Sequence, residues 1–212
     1  YSAENVCTPS RGALLTGRHA ARSGLIIDVP WDTCGADGRC ADVFHPNSRG
    51  HLPSGEITLA EALKASQPNY ATAAVPTWHL GYALANGTQR YLPTERGFDL
   101  FHGTPATHCE SGGKWPAEPV FRTTANATEI VARLDVYGKP ASHLPWSHSR
   151  GTSNLTQSYT RFAVDFIRSS VAKQRPFFLY AAFDNTHDGL YYGQQYAGAS
   201  RRGPMGDAVT EL

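Results

Sequence analysis

Charge is scarce in this sequence. Only 17% of its 212 residues are Asp, Glu, Lys or Arg, and 19 basic against 18 acidic side chains leave a formal net charge of +1. That balance cannot build the broad electropositive face that nucleic acid requires, so a charged ligand needs a local site. Apolar runs long enough to span a membrane as a helix are also missing. The opening stretch, Tyr1 to Arg11, lacks the basic-then-apolar pattern of a secretory leader, and the chain does not begin with Met. The expectation is a processed protein or an internal fragment whose targeting segment lies outside the sequence. Of the four cysteines, Cys34 and Cys40 flank the turn-forming Gly35-Ala36-Asp37-Gly38 and fit a small disulfide-closed loop, while Cys109 has no obvious partner. Free thiols in a cytosolic protein are the competing reading.

What is present suits a folded domain. At 41% hydrophobic residues the chain can bury a core, which argues against disorder. Three sequons, at Asn86, Asn126 and Asn154, predict glycosylation and passage through the secretory pathway.

Local signals predict alternating helices and strands. Cys7 to Gly17 carries Pro9 in a first turn and Gly17 at a stop, the pattern of a helix with Cys7 at its N-terminus. Thr58 to Leu63 has a capping-box pattern and opens a short amphipathic helix; Tyr70 to Val75 reads as a strand with His79 just beyond it. From Tyr159 to Val171 the apolar Phe162, Phe166, Ile167 and Val171 recur at helical spacing, with Arg161, Asp165 and Arg168 left for the outer face. Phe177 to Phe183 is a continuous apolar run, as in a strand buried on both faces, and His187 follows it. The Gly-, Pro-, Ser- and Thr-rich stretch from Gly103 to Ser153 reads as loops over the surface or the mouth of a site. Such alternation predicts a layered α/β domain with ligands at the carboxyl ends of its strands.

The most specific feature is Cys7-Thr8-Pro9-Ser10-Arg11, continued by Gly12-Ala13-Leu14-Leu15-Thr16-Gly17-Arg18. This segment resembles the signature of the sulfatase family. Trp78-His79-Leu80-Gly81, Arg96-Gly97-Phe98-Asp99, Gly103-Thr104-Pro105, Pro176 to His187 and Arg202 to Asp207 extend the resemblance, within that family, to the arylsulfatase A type. It implies an alkaline-phosphatase-like α/β fold with a mainly parallel central sheet, residues 1–212 forming a partial N-terminal catalytic domain incomplete at both ends.

The resemblance also implies a chemistry. Cys7 would be converted to formylglycine by a formylglycine-generating enzyme. The hydrated aldehyde offers one hydroxyl to attack sulfur and a second to expel sulfate as the aldehyde re-forms, whereas a serine ester would need a second attack by water. Carried over by position, Arg11 supports the formylglycine and a bound metal or sulfate. His79 contacts the formylglycine oxygen or assists its proton transfers, and His187 binds sulfate or protonates the leaving oxygen. Thr107, with His108 beside it, is a candidate substrate contact. The implied substrate is a sulfated small molecule, glycan or lipid headgroup, and the implied cofactor is Ca2+.

Two departures qualify this. Pro76-Thr77 stands where the family has Gly-Lys, and losing one preorganised cation opposite developing anionic charge costs about a hundred- to a thousandfold in rate by analogy with oxyanion donors. Beyond Cys7, through its formylglycine, the metal ligands are expected outside this chain; Asp184-Asn185 aligns with the His187 segment and is not taken as a ligand pair. The rivals are a pseudo-sulfatase that binds without turnover, a phosphoester hydrolase, and a structural glycoprotein module with Cys7 unmodified.

Overall fold

A computed structural model describes residues 2–25, 43–44, 50–85, 88–106, 119–124, 126–133, 155–183, 187, 196, 198–203, 206–207 and 209. Helix α1 spans Cys7–Thr16 and stops where Gly17 turns left-handed (φ 68°) and its N–H donates to the Ala13 carbonyl. A short α2, Ala20–Ser23, follows. Helix α3, Leu59–Ser66, begins as the sequence predicts: the Thr58 hydroxyl accepts from Glu61 N, and the Glu61 carboxylate accepts from Thr58 N.

Strand β1, Ala71–Pro76, is buried throughout and organises the sheet. After it come a small hairpin, β2 (Ala83–Ala85) with β3 (Thr88–Arg90), and then β4, Leu100–Gly103. Strands β5 (Pro119–Thr124) and β6 (Ala127–Arg133) precede α4, Leu155–Ala172, and β7, Phe177–Ala182. The five-stranded order is β6-β5-β4-β1-β7; β4, β1 and β7 run parallel, while β5 and β6 are antiparallel.

Alternation along β1 sorts two layers. Ala71, Ala73 and Val75 pack with Phe166, Tyr159 and Ala163 of α4. Ala74 faces the other core, where Leu15, Leu25, Ala60, Phe101 and Tyr180 gather under α1 and α3. Arg161, Asp165 and Arg168 lie on the exposed face of α4, as its periodicity requires.

Two expectations are corrected. Residues 103–153 are not all loop, because β5 and β6 form an antiparallel hairpin in the sheet. Val120 and Phe121 are buried in it, and its turn is closed by the Thr124 hydroxyl accepting from the amides of Asn126 and Ala127. Strand β7 is not buried on both faces: Phe177, at 39%, and Ala181 are exposed, and the strand also lies at the sheet edge, pairing with β1 alone among the described residues. A continuous apolar run arises equally from a strand with one half-covered face. Helix α4 also begins four residues before the predicted Tyr159.

Candidate active site

The parallel strands β1, β4 and β7 bring the singled-out residues to one end of the sheet. Beyond β1 the chain runs alongside the segment that follows β4. The Thr104 amide donates to the Pro76 carbonyl at 2.9 Å, Trp78 N donates to Thr104 O at 3.1 Å, and His79 N donates to Pro105 O at 2.8 Å. Gly103 permits this approach, since a Cβ there would lie 1.6 Å from the Pro76 oxygen. The Trp78 indole N–H donates to Tyr91 O at 2.8 Å. His79 is fully buried and held at φ 57°, a left-handed conformation uncommon for a residue with a Cβ.

Helix α1 meets this end with its N-terminus. Thr8 is fully buried; its hydroxyl donates to the His79 carbonyl at 2.7 Å and accepts from Phe44 N at 2.9 Å. One side chain of the signature thus bolts the helix to the histidine segment. Cys7 occupies the first position of α1, half-buried, and its Sγ lies 3.7 Å from His187 Nε2. Val6 at the N-cap offers no side-chain acceptor and the first turn carries no acidic residue, so the positive end of the helix dipole is left uncancelled beside Cys7. One turn on, Arg11 Nη1 donates to the Thr77 carbonyl at 2.6 Å and to the Tyr180 hydroxyl at 3.1 Å.

The structure therefore joins Cys7 to His187, and the backbone of His79 to the helix that carries Cys7. Arg11 is tied to the ends of β1 and β7. Thr107, His108, Asn86, Asn154 and Cys34, Cys40 and Cys109 lie outside the described residues. Asn126 is exposed at the β5–β6 turn, a position open to a glycan. Thr8 and Tyr180 were missed as individual contributors. The signal for Tyr180 was a single hydroxyl inside the run Phe177-Phe178-Leu179-Tyr180-Ala181-Ala182.

Chemically, the arrangement sets a thiol and an imidazole at a helix N-terminus with a guanidinium one turn on, a set suited to an oxyanion. It does not suit a hard divalent cation, which wants several oxygen ligands. Among the described residues no group of three or more His, Cys, Asp or Glu side chains comes together.

Comparison with known proteins identifies the family and the fold. A family model described as Sulfatase matches residues 1–209. N-acetylgalactosamine-6-sulfatase of Mus musculus is 38% identical over the whole of this chain, which covers 36% of that protein. Arylsulfatase A of Bos taurus is 35% identical, again over the whole chain and 38% of the relative. The chain thus spans a little over a third of the length of these curated relatives. Among solved structures, the PsFucS1 sulfatase from Pseudoalteromonas sp. superposes with a TM-score of 0.71 at 23% identity, over 99% of this chain and 40% of that one. That likeness establishes the fold, the alkaline-phosphatase-like α/β arrangement expected from the signature. Signature, fold and a match over nearly every residue agree, and the chain belongs to the sulfatase family.

Proposed function

We propose that the complete protein is a sulfuric ester hydrolase of the arylsulfatase kind, with residue 7 as its nucleophile. The observation that carries this is the position of Cys7, at the first turn of α1 and 3.7 Å from His187 Nε2 where β1 and β7 end. As formylglycine, this residue supplies a hydrated aldehyde, whose paired hydroxyls suit both attack on sulfur and release of sulfate.

The other residues take roles that follow from their surroundings. Arg11 holds sulfate oxygens with the donors it does not spend on Thr77 and Tyr180. His187, beside the nucleophile, binds sulfate or passes a proton to the leaving oxygen. His79, fixed by Thr8 and Pro105, supports the formylglycine oxygen. Thr107 contacts substrate. Calcium belongs to the same reading, but the described residues do not assemble its oxygen ligands, so no step here is routed through it. The substrate is a sulfated small molecule, glycan or lipid headgroup, and the protein is a lysosomal or extracellular glycoprotein carrying glycans at Asn86, Asn126 and Asn154. No described helix is long and apolar enough to cross a membrane.

The test is sulfate release from an aryl sulfate by the complete protein, produced with a formylglycine-generating enzyme, beside its Cys7→Ala variant. Turnover in the first and none in the second supports the reading; equal rates reject it.

One observation favours a second reading, a catalytically impaired relative. Thr77 stands where the family carries lysine, is 2% exposed, and its hydroxyl has no hydrogen-bond partner among the described residues. Its carbonyl, not its side chain, is engaged, by Arg11. Thr77→Lys distinguishes the two: a large gain in sulfate-ester turnover marks an impaired enzyme, and no gain in an inactive protein marks a binding remnant.

A further inference from the structure

We infer that Tyr180 is a positioning residue for Arg11, fixing the guanidinium beside the nucleophile; the catalytic consequence rests on the sulfatase reading above. Arg11 Nη1 carries two hydrogens, and its two observed bonds use both: one to the Thr77 carbonyl at 2.6 Å, where β1 has just ended, and one to the Tyr180 hydroxyl at 3.1 Å, on β7. No other partner of Arg11 exists among the described residues. Nε–H and both Nη2 hydrogens are left, three donors in a rigid plane that suits a tetrahedral oxyanion. One nitrogen anchors the group and the rest of the fork is presented.

The anchor is stiff because of where the tyrosine stands. Tyr180 pairs in parallel register with Ala74, in the middle of β1, and is 8% exposed in the core beneath α1. Its ring lies against Phe98, with centroids 6.4 Å apart. Phenylalanine would satisfy that core equally well, since every neighbour named is apolar. A buried hydroxyl is costly unless it is bonded, and this one makes no hydrogen bond except that from Arg11 among the described residues. The hydroxyl therefore serves the guanidinium, not the packing. An arginine on one turn of a helix has long, flexible reach, and two anchors from adjacent parallel strands remove most of that freedom.

The experiment is Tyr180→Phe in the complete protein, which deletes one oxygen and keeps the ring. Two readouts are taken together: kcat on an aryl sulfate, and the rate at which phenylglyoxal labels Arg11, followed by peptide mass spectrometry. The expected result is a fall of about tenfold in kcat, the scale of one hydrogen bond to a charged group. Arg11 should label several-fold faster while the other arginines keep their rates. In an Arg11→Lys background, Tyr180→Phe should cost nothing further, because the pair acts as a unit. Unchanged Arg11 labelling overturns the proposal, as does a loss of rate that adds fully to that of Arg11→Lys. Should the wild type release no sulfate, the hydrolase reading fails, and the labelling alone decides whether Tyr180 holds Arg11.

Discussion

Replacing Thr8 by valine should damage this protein more than its near-identical shape suggests. Valine fills the same volume, so the fully buried site keeps its packing, but both hydrogen bonds of the hydroxyl disappear. The His79 carbonyl and the Phe44 amide are then left without the threonine oxygen in a place from which water is excluded. Each bond lost in this buried place costs about 1–3 kcal/mol, giving roughly 2–6 kcal/mol for the pair. Against a typical total of about 5–15 kcal/mol that is a large fraction. The serine variant separates hydroxyl from shape: it keeps both bonds and loses one methyl, at a cost of about 1 kcal/mol. Urea unfolding of the complete protein, read as the shift in midpoint at constant slope, compares wild type, Thr8→Ser and Thr8→Val. The predicted order of stability is wild type, then serine, then valine, with activity following because His79 loses a tether at its strained backbone. A valine variant as stable as wild type, or more stable than serine, would refute the reasoning.

Gly103→Ala places a Cβ 1.6 Å from the Pro76 oxygen, where no flexible side chain can yield; the strands must part, and overpacking of this kind costs about 1–3 kcal/mol or more, visible as a lower urea midpoint. His102 predicts a pH dependence. Burial against Tyr159 and Phe162 pulls its pKa below the ordinary 6.5, with Arg122 adding in the same direction and the bond to the Phe121 carbonyl opposing. The unfolded chain therefore takes up this proton first as pH falls, so stability is kept above about 6.5 and lost below it, towards the depressed folded-state value, by at most about 1.4 kcal/mol per pH unit. Unfolding measured across that range should show the slope in wild type and a flatter profile in His102→Gln; identical slopes would exclude His102 as the source.

Legibility of the fold in the sequence followed the range of the forces involved. Helix α3 was readable because its start is decided by two side chains three residues apart, Thr58 and Glu61. Helix α1 was readable from Pro9 and Gly17 for the same reason. The β5–β6 hairpin was not: Val120, Phe121, Ile130 and Val131 are good strand formers, but they sit in a stretch rich in Gly, Pro, Ser and Thr, and the core that buries Phe121 is built from distant β1 and α1. The exposure of β7 was equally hidden: a run of apolar residues records what can be buried, not what covers it. Within the site, the signature and the two histidines were legible as a resemblance, and the sheet supplied the reason they meet. Tyr180 and Gly103 act on partners 169 and 27 residues away, Arg11 and Pro76, across contacts with no local pattern.

The central claim is that residue 7 is the nucleophile and that paired hydroxyls on one carbon are needed to release the sulfate it captures. Cys7→Ser in the complete protein tests it in one experiment, mixing with an aryl sulfate followed by phenol release and peptide mass spectrometry. The introduced serine can attack sulfur and expel the phenol but has no second hydroxyl to free the sulfate, so the account predicts one phenol released per enzyme and a stable sulfate ester on the peptide containing position 7. Continued turnover by this variant, or a sulfate ester mapped to any other residue, would contradict it.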